Sequence, residues 1–384
     1  MDRLDPRDYG FSRFSPRMWH GMTFGAWCRL LRGNLRFVTR DRLGVVASVT
    51  LLSLGNSVLR GVSDAVYTRR LAQVEITPDP VFVLGYWRSG TTWLHQLLST
   101  DPRFAAPNGL QVFMPETFLV GRWFIKPLLS LWMPSKRPMD GVEIGHDTSE
   151  EDEVALAISG APSLLRRAVF WGRDVPGSRL LLSDLPAGER TLWATKWDAF
   201  LRKVQMVNPG KRILLKSPGH TVRIPDILAR FPKAKFIHIA RNPYDILRSA
   251  EHTIEAMAAT QGLSSRRHDP GAVRRERYDD FQQFHEVFHR DIDRIPDGSI
   301  SFLHYEDLRK DPVREVARVY EELEFDGFDR VEPALRARVE AMKDYAPRAR
   351  DLDPALEAEI WTEARAYFGR YGYARQPAHA GHAP

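Results

Sequence analysis

The residues best suited to chemistry lie in short clusters, each directly behind an apolar run. Gly85-Tyr-Trp-Arg-Ser-Gly90 is a loop bounded by glycines, and Thr91-Thr92-Trp93 follows it. The backbone amides of such a loop, those of Ser89, Gly90, Thr91 and Thr92 among them, converge with the positive end of the next helix and stabilise an anion. Gly85 and Gly90 have the spacing of a nucleoside-triphosphatase loop, but that motif continues with lysine. Thr91 stands in the lysine's place, and the loop's one cation, Arg88, lies inside the turn. A second cluster, Lys216-Ser-Pro-Gly-His220, supplies a cation and an imidazole. A third opens with Arg241, where a triphosphatase would have an acid for Mg²⁺. Arginine there grips a phosphate directly and in bidentate fashion. Ser249, about two helical turns further on, is spaced to donate to the same phosphate. The ligand these clusters describe has two anionic ends, one on Arg88 to Thr92 and one on Arg241 and Ser249.

The elements that must position these groups are readable from the same stretches. Val81-Phe-Val-Leu84 is a buried parallel strand by its unbroken apolar run, and Leu94, Leu97 and Leu98 recur at helical spacing after the loop. Arg212–Lys216, Lys235–Ala240 and Ser299–His304 are further strands. Helices follow them, with Pro243 at a favoured first position and Pro225 marking a break or restart. Alternating strands and helices predict an α/β fold of the P-loop type, three layers deep around a central parallel sheet. Ligands in such sheets sit at the carboxyl ends of the strands. Arg88, Lys216, His220, Arg241 and Tyr305 all fall just past strand ends, so one sheet edge gathers an anion site.

Around this α/β domain, taken as residues 79–330, the chain carries additions. Residues 1–78 read as a helical arm. Leu43 to Leu59 is a run of 17 uncharged residues with Ser48, Thr50, Ser53, Asn56 and Ser57 inside it. A spanning helix needs about 20 apolar residues, so this run is short and polar for one. With Trp19, Trp27 and the arginines at 29, 32, 36, 40 and 42, the arm suits an anionic membrane surface; the alternative is packing on the protein's own core or on a second subunit. The stretch 103–185, with Trp123, Trp132 and Trp171, suits either the wall of an apolar cleft or core filling. Within it, Ser149 and Asp152 read as a capping box, and Glu151 is the acid placed to face the site. Residues 187–207 form a helix. The insertion 257–296 holds an amphipathic helix through Tyr278, Phe281, Phe284 and Phe288. Its basic lead, Arg266 to Arg275, is expected to be mobile, as a solvated run or a lid. Residues 331–374 add helices, and 375–384 read as a disordered tail whose histidines are too isolated for a metal.

The net charge is +6, from 55 basic and 49 acidic residues. This mild, scattered excess fits an anionic small molecule or an acidic membrane, and argues against nucleic acid. One cysteine, Cys28, allows no intramolecular disulfide and points to a reducing compartment. The start Met-Asp-Arg-Leu-Asp-Pro has no apolar core behind a basic lead, so no signal peptide is expected. The expected location is the cytoplasm, with a peripheral position on the inner face of the membrane if the arm binds lipid.

At this point residues 80–325 resemble the sulfotransferases that use 3′-phosphoadenosine 5′-phosphosulfate (PAPS). Gly85 to Trp93 looks like their 5′-phosphosulfate loop, and Ile239-Ala-Arg-Asn-Pro to Ser249 looks like their 3′-phosphate motif. Trp93 matches their adenine-stacking tryptophan, and Tyr305 in Tyr-Glu-Asp matches a residue beside the adenine. Many cytosolic members have lysine where this chain has Arg88; bacterial and tyrosyl-protein members have arginine. Bacterial members share Lys136-Arg-Pro-Met-Asp140, Glu151-Asp-Glu153, Lys216-Ser-Pro-x-His220 and a similar arm. The resemblance implies in-line transfer of a sulfuryl group from PAPS to a hydroxyl or amine, with PAP as product and no metal. Arg88 and Lys216 are then the groups that stabilise charge on the leaving oxygen.

The general base is less well marked. Cytosolic members have a catalytic histidine two residues after the lysine, where this chain has Pro218. Tyrosyl-protein members use a Glu after the loop helix, where this chain has Pro107-Asn-Gly109. His220 ranks first as base, Glu151 second and Glu116 third. A lipid or amphipathic alcohol is the expected acceptor. The alternatives to a sulfotransferase are a P-loop kinase or NTPase-like protein and a non-catalytic membrane scaffold of the same fold, and a homo-oligomer is compatible with each.

Overall fold

The computed structural model describes residues 3–13, 15–122, 145–171, 175, 177–342 and 353–375. The strands β1 Val81–Leu84, β2 Phe104–Ala105, β3 Arg212–Lys216, β4 Lys235–Ala240 and β5 Ile300–His304 form one sheet in the order β2-β3-β1-β4-β5. All neighbours run parallel. In register, Val83 lies opposite Lys216 and Leu84 opposite His238. The loop after β1 therefore opens between the ends of β3 and β4, at the switch point where open parallel sheets hold ligands.

Side chains alternate across a strand, so the buried residues of β1 serve two cores. Phe82 and Leu84 join Ile213, Leu215 and Phe236 under the helix Ala187–Val207, which contributes Trp193, Trp197 and Leu201. Val81 and Val83 join Leu94, Leu97, Leu214, Ile237 and Val319 on the other face. This two-sided burial is why the strand reads as an unbroken apolar run. It is also why the fold has three layers.

Several expectations change in detail. β5 starts at Ile300, and β2 was not anticipated, being two residues paired only to β3. The capping box at Ser149 and Asp152 does not form. The helix Asp152–Ile158 has Glu151 as its N-cap without a side-chain cap bond, and Ser149 makes an isolated bridge to Asn108. The basic lead is built into the fold. Arg266 bridges to Arg3, the Leu4 amide donates to the Ser265 carbonyl at 2.9 Å, and Arg274 and Arg275 lie in the helix Pro270–Asp291. Around Pro225 the chain does restart, from a 3₁₀ turn Pro218–Val222 into the helix Ile224–Arg230. The arm forms a helix from Leu43 to Ala72. Trp171 is buried beside His268, with ring centroids 5.5 Å apart. Trp123, Trp132, Lys136 to Asp140 and the tail 376–384 lie outside the described residues.

Three histidines are buried in the layers without a compensating acid bonded to their rings. His95 Nε2 meets only the Leu214 carbonyl at 3.3 Å. His238 stacks on Phe288 at 4.3 Å, and neither His238 nor His285 has a hydrogen-bond partner at either ring nitrogen. Burial pushes these imidazoles down, to about 3 for His95 and His238 and well below 6.5 for His285. The folded state keeps them neutral, whereas the unfolded chain protonates them near the ordinary value. Their contribution is complete above about pH 6.5 and is lost as pH falls below it, at up to ~1.4 kcal/mol per pH unit per histidine. Urea unfolding at about pH 7 and about pH 5 is expected to show this loss, with a shallower slope in His238→Leu; parallel slopes in the two proteins would contradict it.

Candidate active site

The loop after β1 is held by backbone conformations that few residues adopt. Gly85, Arg88 and Gly90 all have positive φ, at 147°, 72° and 100°. Ser89 Oγ donates to the Tyr86 carbonyl at 2.7 Å, and the Gly85 amide donates to Thr221 Oγ1 at 2.9 Å, tying the loop to the 3₁₀ turn after β3. A Cβ at Gly90 would lie 2.3 Å from Tyr305 Cδ2. Glycine at this point lets the ring at the end of β5 close over the loop. The helix Thr91–Leu98 starts immediately behind, with Gly90 as its N-cap, so its first amides face the loop.

Beyond β4, Arg241 is stretched between these parts. Its guanidinium carbon sits 4.2 Å from the Tyr305 ring centroid. Nη1 donates to the Arg88 carbonyl at 3.1 Å and Nη2 to Asp245 Oδ2 at 3.2 Å, while its buried Nε has no hydrogen-bond partner. Tyr367 Oη holds the backbone, accepting from the Arg241 amide at 3.3 Å and donating to its carbonyl at 3.2 Å. Half-buried Trp93 meets Tyr305 edge to face at 5.9 Å. Arg88, Gly90, Trp93, Arg241 and Tyr305 are thus brought together. Ser249 stays further along the helix Pro243–Gln261, with its hydroxyl on the Ile246 carbonyl at 3.1 Å.

On the other side of the loop, Lys216 is almost fully buried, at 1% exposure. Its Nζ donates to Glu151 Oε1 at 2.6 Å and to Thr92 Oγ1 at 3.3 Å. Glu151, Asp152 and Glu153 are the last three of four consecutive acids, and each is matched by the segment from Lys216 to Arg223. Asp152 accepts from Ser217 Oγ at 2.7 Å, from His220 Nε2 at 2.8 Å and from Trp197 Nε1 at 3.0 Å. Glu153 takes Arg223 Nη1 at 2.6 Å, and its amide donates to Ser217 Oγ at 3.1 Å. Burial alone pushes the Asp152 carboxyl up. The adjacent His220 and the three hydrogen bonds outweigh that and hold it at about 2. Burial likewise opposes ionisation of Glu153, and Arg223 reverses the balance to lower its pKa.

The three candidate bases are held in different ways. His220 is completely buried, and its Nε2 is committed to Asp152 while Nδ1 is enclosed without a partner. Glu116 is buried between Lys196 Nζ at 2.5 Å and Lys203 Nζ at 3.0 Å. Burial raises its carboxyl and the two lysines bring it down to about 2. Glu151 keeps a half-buried position at the edge, beside Lys216 and the loop helix. The sequence reasoning missed Asp152, Glu153, Arg223 and Thr221 as partners of the site. The available signal was the match of the acid run Glu150 to Glu153 to polar and basic residues at 216, 217, 220 and 223.

The sheet order and the glycine-bounded loop between strand and helix define a P-loop-type α/β protein. The sequence pattern of the Sulfotransferase family matches residues 80–330. The omega-hydroxy-beta-dihydromenaquinone-9 sulfotransferases Stf3 of Mycobacterium tuberculosis and Mycobacterium bovis are each 31% identical over 362 residues, covering 93% of this chain and 92% of the relative. Sulfotransferase STF9 from Mycobacterium avium superposes with a TM-score of 0.67 at 17% identity over 90% of each chain. STF1 from Mycobacterium tuberculosis gives 0.64 at 18% identity over 90% of each chain. The chain belongs to the sulfotransferase family, and it is a transferase of sulfuryl groups.

Two neighbouring acids should respond very differently to substitution. Asp152→Ala leaves His220, Ser217 and Trp197 without their shared acceptor and is expected to cost about 3–5 kcal/mol of stability. Glu151→Gln takes the carboxylate from the buried Lys216 ammonium but keeps a hydrogen-bond acceptor beside it, and is expected to cost about 1–2 kcal/mol, less than Asp152→Ala. Urea denaturation of both variants checks this, and equal losses would contradict the difference in burial and bonding between the two acids.

Proposed function

We propose that the donor is PAPS and the acceptor a lipid or amphipathic alcohol, with Glu151 as the general base. The observation that carries this reading is Lys216 Nζ lying between the Glu151 carboxylate and Thr92 at the start of the loop helix. The loop amides and Arg88 would hold the 5′-phosphosulfate, Arg241 and Ser249 the 3′-phosphate, and Trp93 and Tyr305 the adenine. The buried, unpartnered Nε of Arg241 fits an incoming phosphate oxygen.

In the transfer, the acceptor oxygen forms a bond to sulfur as the bond from sulfur to the 5′-phosphate oxygen breaks. Glu151 takes the acceptor proton. As its carboxylate is neutralised, the Lys216 ammonium is released from the ion pair to meet the charge on the leaving oxygen. Family membership removes the kinase and NTPase alternative. Lipid acceptance is supported by the curated relatives, whose names specify a menaquinone derivative. A protein that sulfates such an alcohol from the cytoplasmic side would work in peripheral contact with the inner face of the membrane.

Two measurements test this reading. PAP is expected to raise the thermal midpoint of the protein without Mg²⁺, and Arg241→Ala is expected to weaken that binding by about tenfold or more, since a buried charged hydrogen bond contributes ~1.5–3 kcal/mol. Stabilisation by Mg-ATP alone would rule PAPS out. With radiolabelled PAPS and a lipid extract, Glu151→Gln is expected to lower turnover by roughly 10²–10⁴ while PAP binding persists. A Glu151→Gln enzyme as fast as wild type would return the base to another group.

A further inference from the structure

The helix Leu43–Ala72 is packed inside out. Thr50, Ser53, Asn56, Ser57 and Ser63 face the protein. Asn56 Nδ2 donates to the carbonyls of His20 at 2.7 Å and Met22 at 3.0 Å, Trp27 Nε1 donates to Thr50 Oγ1 at 2.9 Å, and the Phe24 amide donates to Ser57 Oγ at 2.8 Å. Ser53 and Ser63 are buried. The outward side carries Leu51, Leu54, Val58, Val62 and Val66, with Leu51 70% and Val58 68% exposed. Steps of three and four residues place these side chains in one continuous stripe. Among the described residues, every exposed large apolar side chain except Phe302 lies between Phe24 and Val66. An apolar face of this kind is unfavourable in water and marks a non-aqueous partner.

The rim of the stripe is basic. Arg29, Arg32, Arg36, Arg40, Arg69 and Arg70 are exposed. The exposed acids of the same stretch, Asp41 and Asp64, lie 3.4 Å from Arg42 and 3.3 Å from Arg60. A second copy would set one basic rim against another, whereas an anionic lipid surface complements it. The helix is long and apolar enough to cross a bilayer. Its polar face, however, is hydrogen-bonded to the body, and Tyr67 Oη still reaches the Leu119 carbonyl at 3.5 Å near its far end. We infer that this helix lies in the plane of an anionic bilayer surface, with the stripe from Leu51 to Val66 seated about 5–10 Å into the boundary of headgroups and acyl chains.

The inference deepens the membrane contact proposed above and does not depend on the acceptor. The test is flotation of the full chain with phosphatidylcholine vesicles containing a minority of phosphatidylglycerol. Wild type is expected to float, and a Leu51→Ser, Val58→Ser, Val62→Ser triple variant to lose at least about tenfold of its vesicle partitioning. Unchanged stabilisation by PAP in the variant shows that its body is intact. Equal flotation of the two proteins overturns the inference. So does a wild type that stays with the vesicle-free fractions and sediments as a dimer that the triple variant dissociates, since the stripe is then a subunit interface. Sulfation of a detergent-dispersed lipid alcohol is read separately. Flotation without any such sulfation sinks the lipid-acceptor reading and leaves the docking of the arm standing.

Discussion

The active edge depends on one pairing, the run Glu151-Asp152-Glu153 laid against the segment from Lys216 to Arg223. Leaving any of these buried charges unmatched would cost several kcal/mol, so the two segments are stable only when docked together. Docking has two effects beyond neutralisation. It aims Lys216 at Thr92, and through Thr221 it fastens the loop after β1 to the end of β3. The inner two acids are consumed by this structural duty. Glu151, half-buried, meets Lys216. One ladder of contacts therefore separates two enclosed carboxylates from one that stays half-buried.

A second constraint acts on the opposite side of the loop. Arg241 joins three parts at once: the Arg88 carbonyl, the carboxylate of Asp245 and the face of Tyr305. Its backbone is held in turn by Tyr367 from a C-terminal helix. That helix thus bears directly on the placement of Arg241, although 126 residues separate Tyr367 from it.

Much of this edge was legible in the sequence because its signals are local. An unbroken apolar run marks a strand buried on both faces, glycines mark the turn that must follow, and Pro243 marks a helix start. The parallel sheet and the gathering of Arg88, Lys216, Arg241 and Tyr305 at its carboxyl edge follow from these alone. What the sequence leaves unmarked is the set of partners distant in the chain. An imidazole four residues after a lysine reads the same whether it faces an acceptor or a buried acid, and Asp152 is 68 residues away from His220. Glu116 likewise gives no sign of the two lysines that enclose it. The orientation of the arm was illegible for a related reason. An uncharged run with interspersed Ser, Thr and Asn fits either face inward, and the carbonyls of His20 and Met22 decide which.

The contact between Gly90 and Tyr305 ties two distant positions into one inherited unit. The ring fills the volume that even a methyl group at 90 would require. A lineage that gains a side chain at 90 must already have lost the ring at 305. The reverse order first opens a gap over the loop. The shape of the loop after β1 and the wall beside Trp93 are therefore expected to change together across descendants, as a matched pair, rather than drift apart one residue at a time.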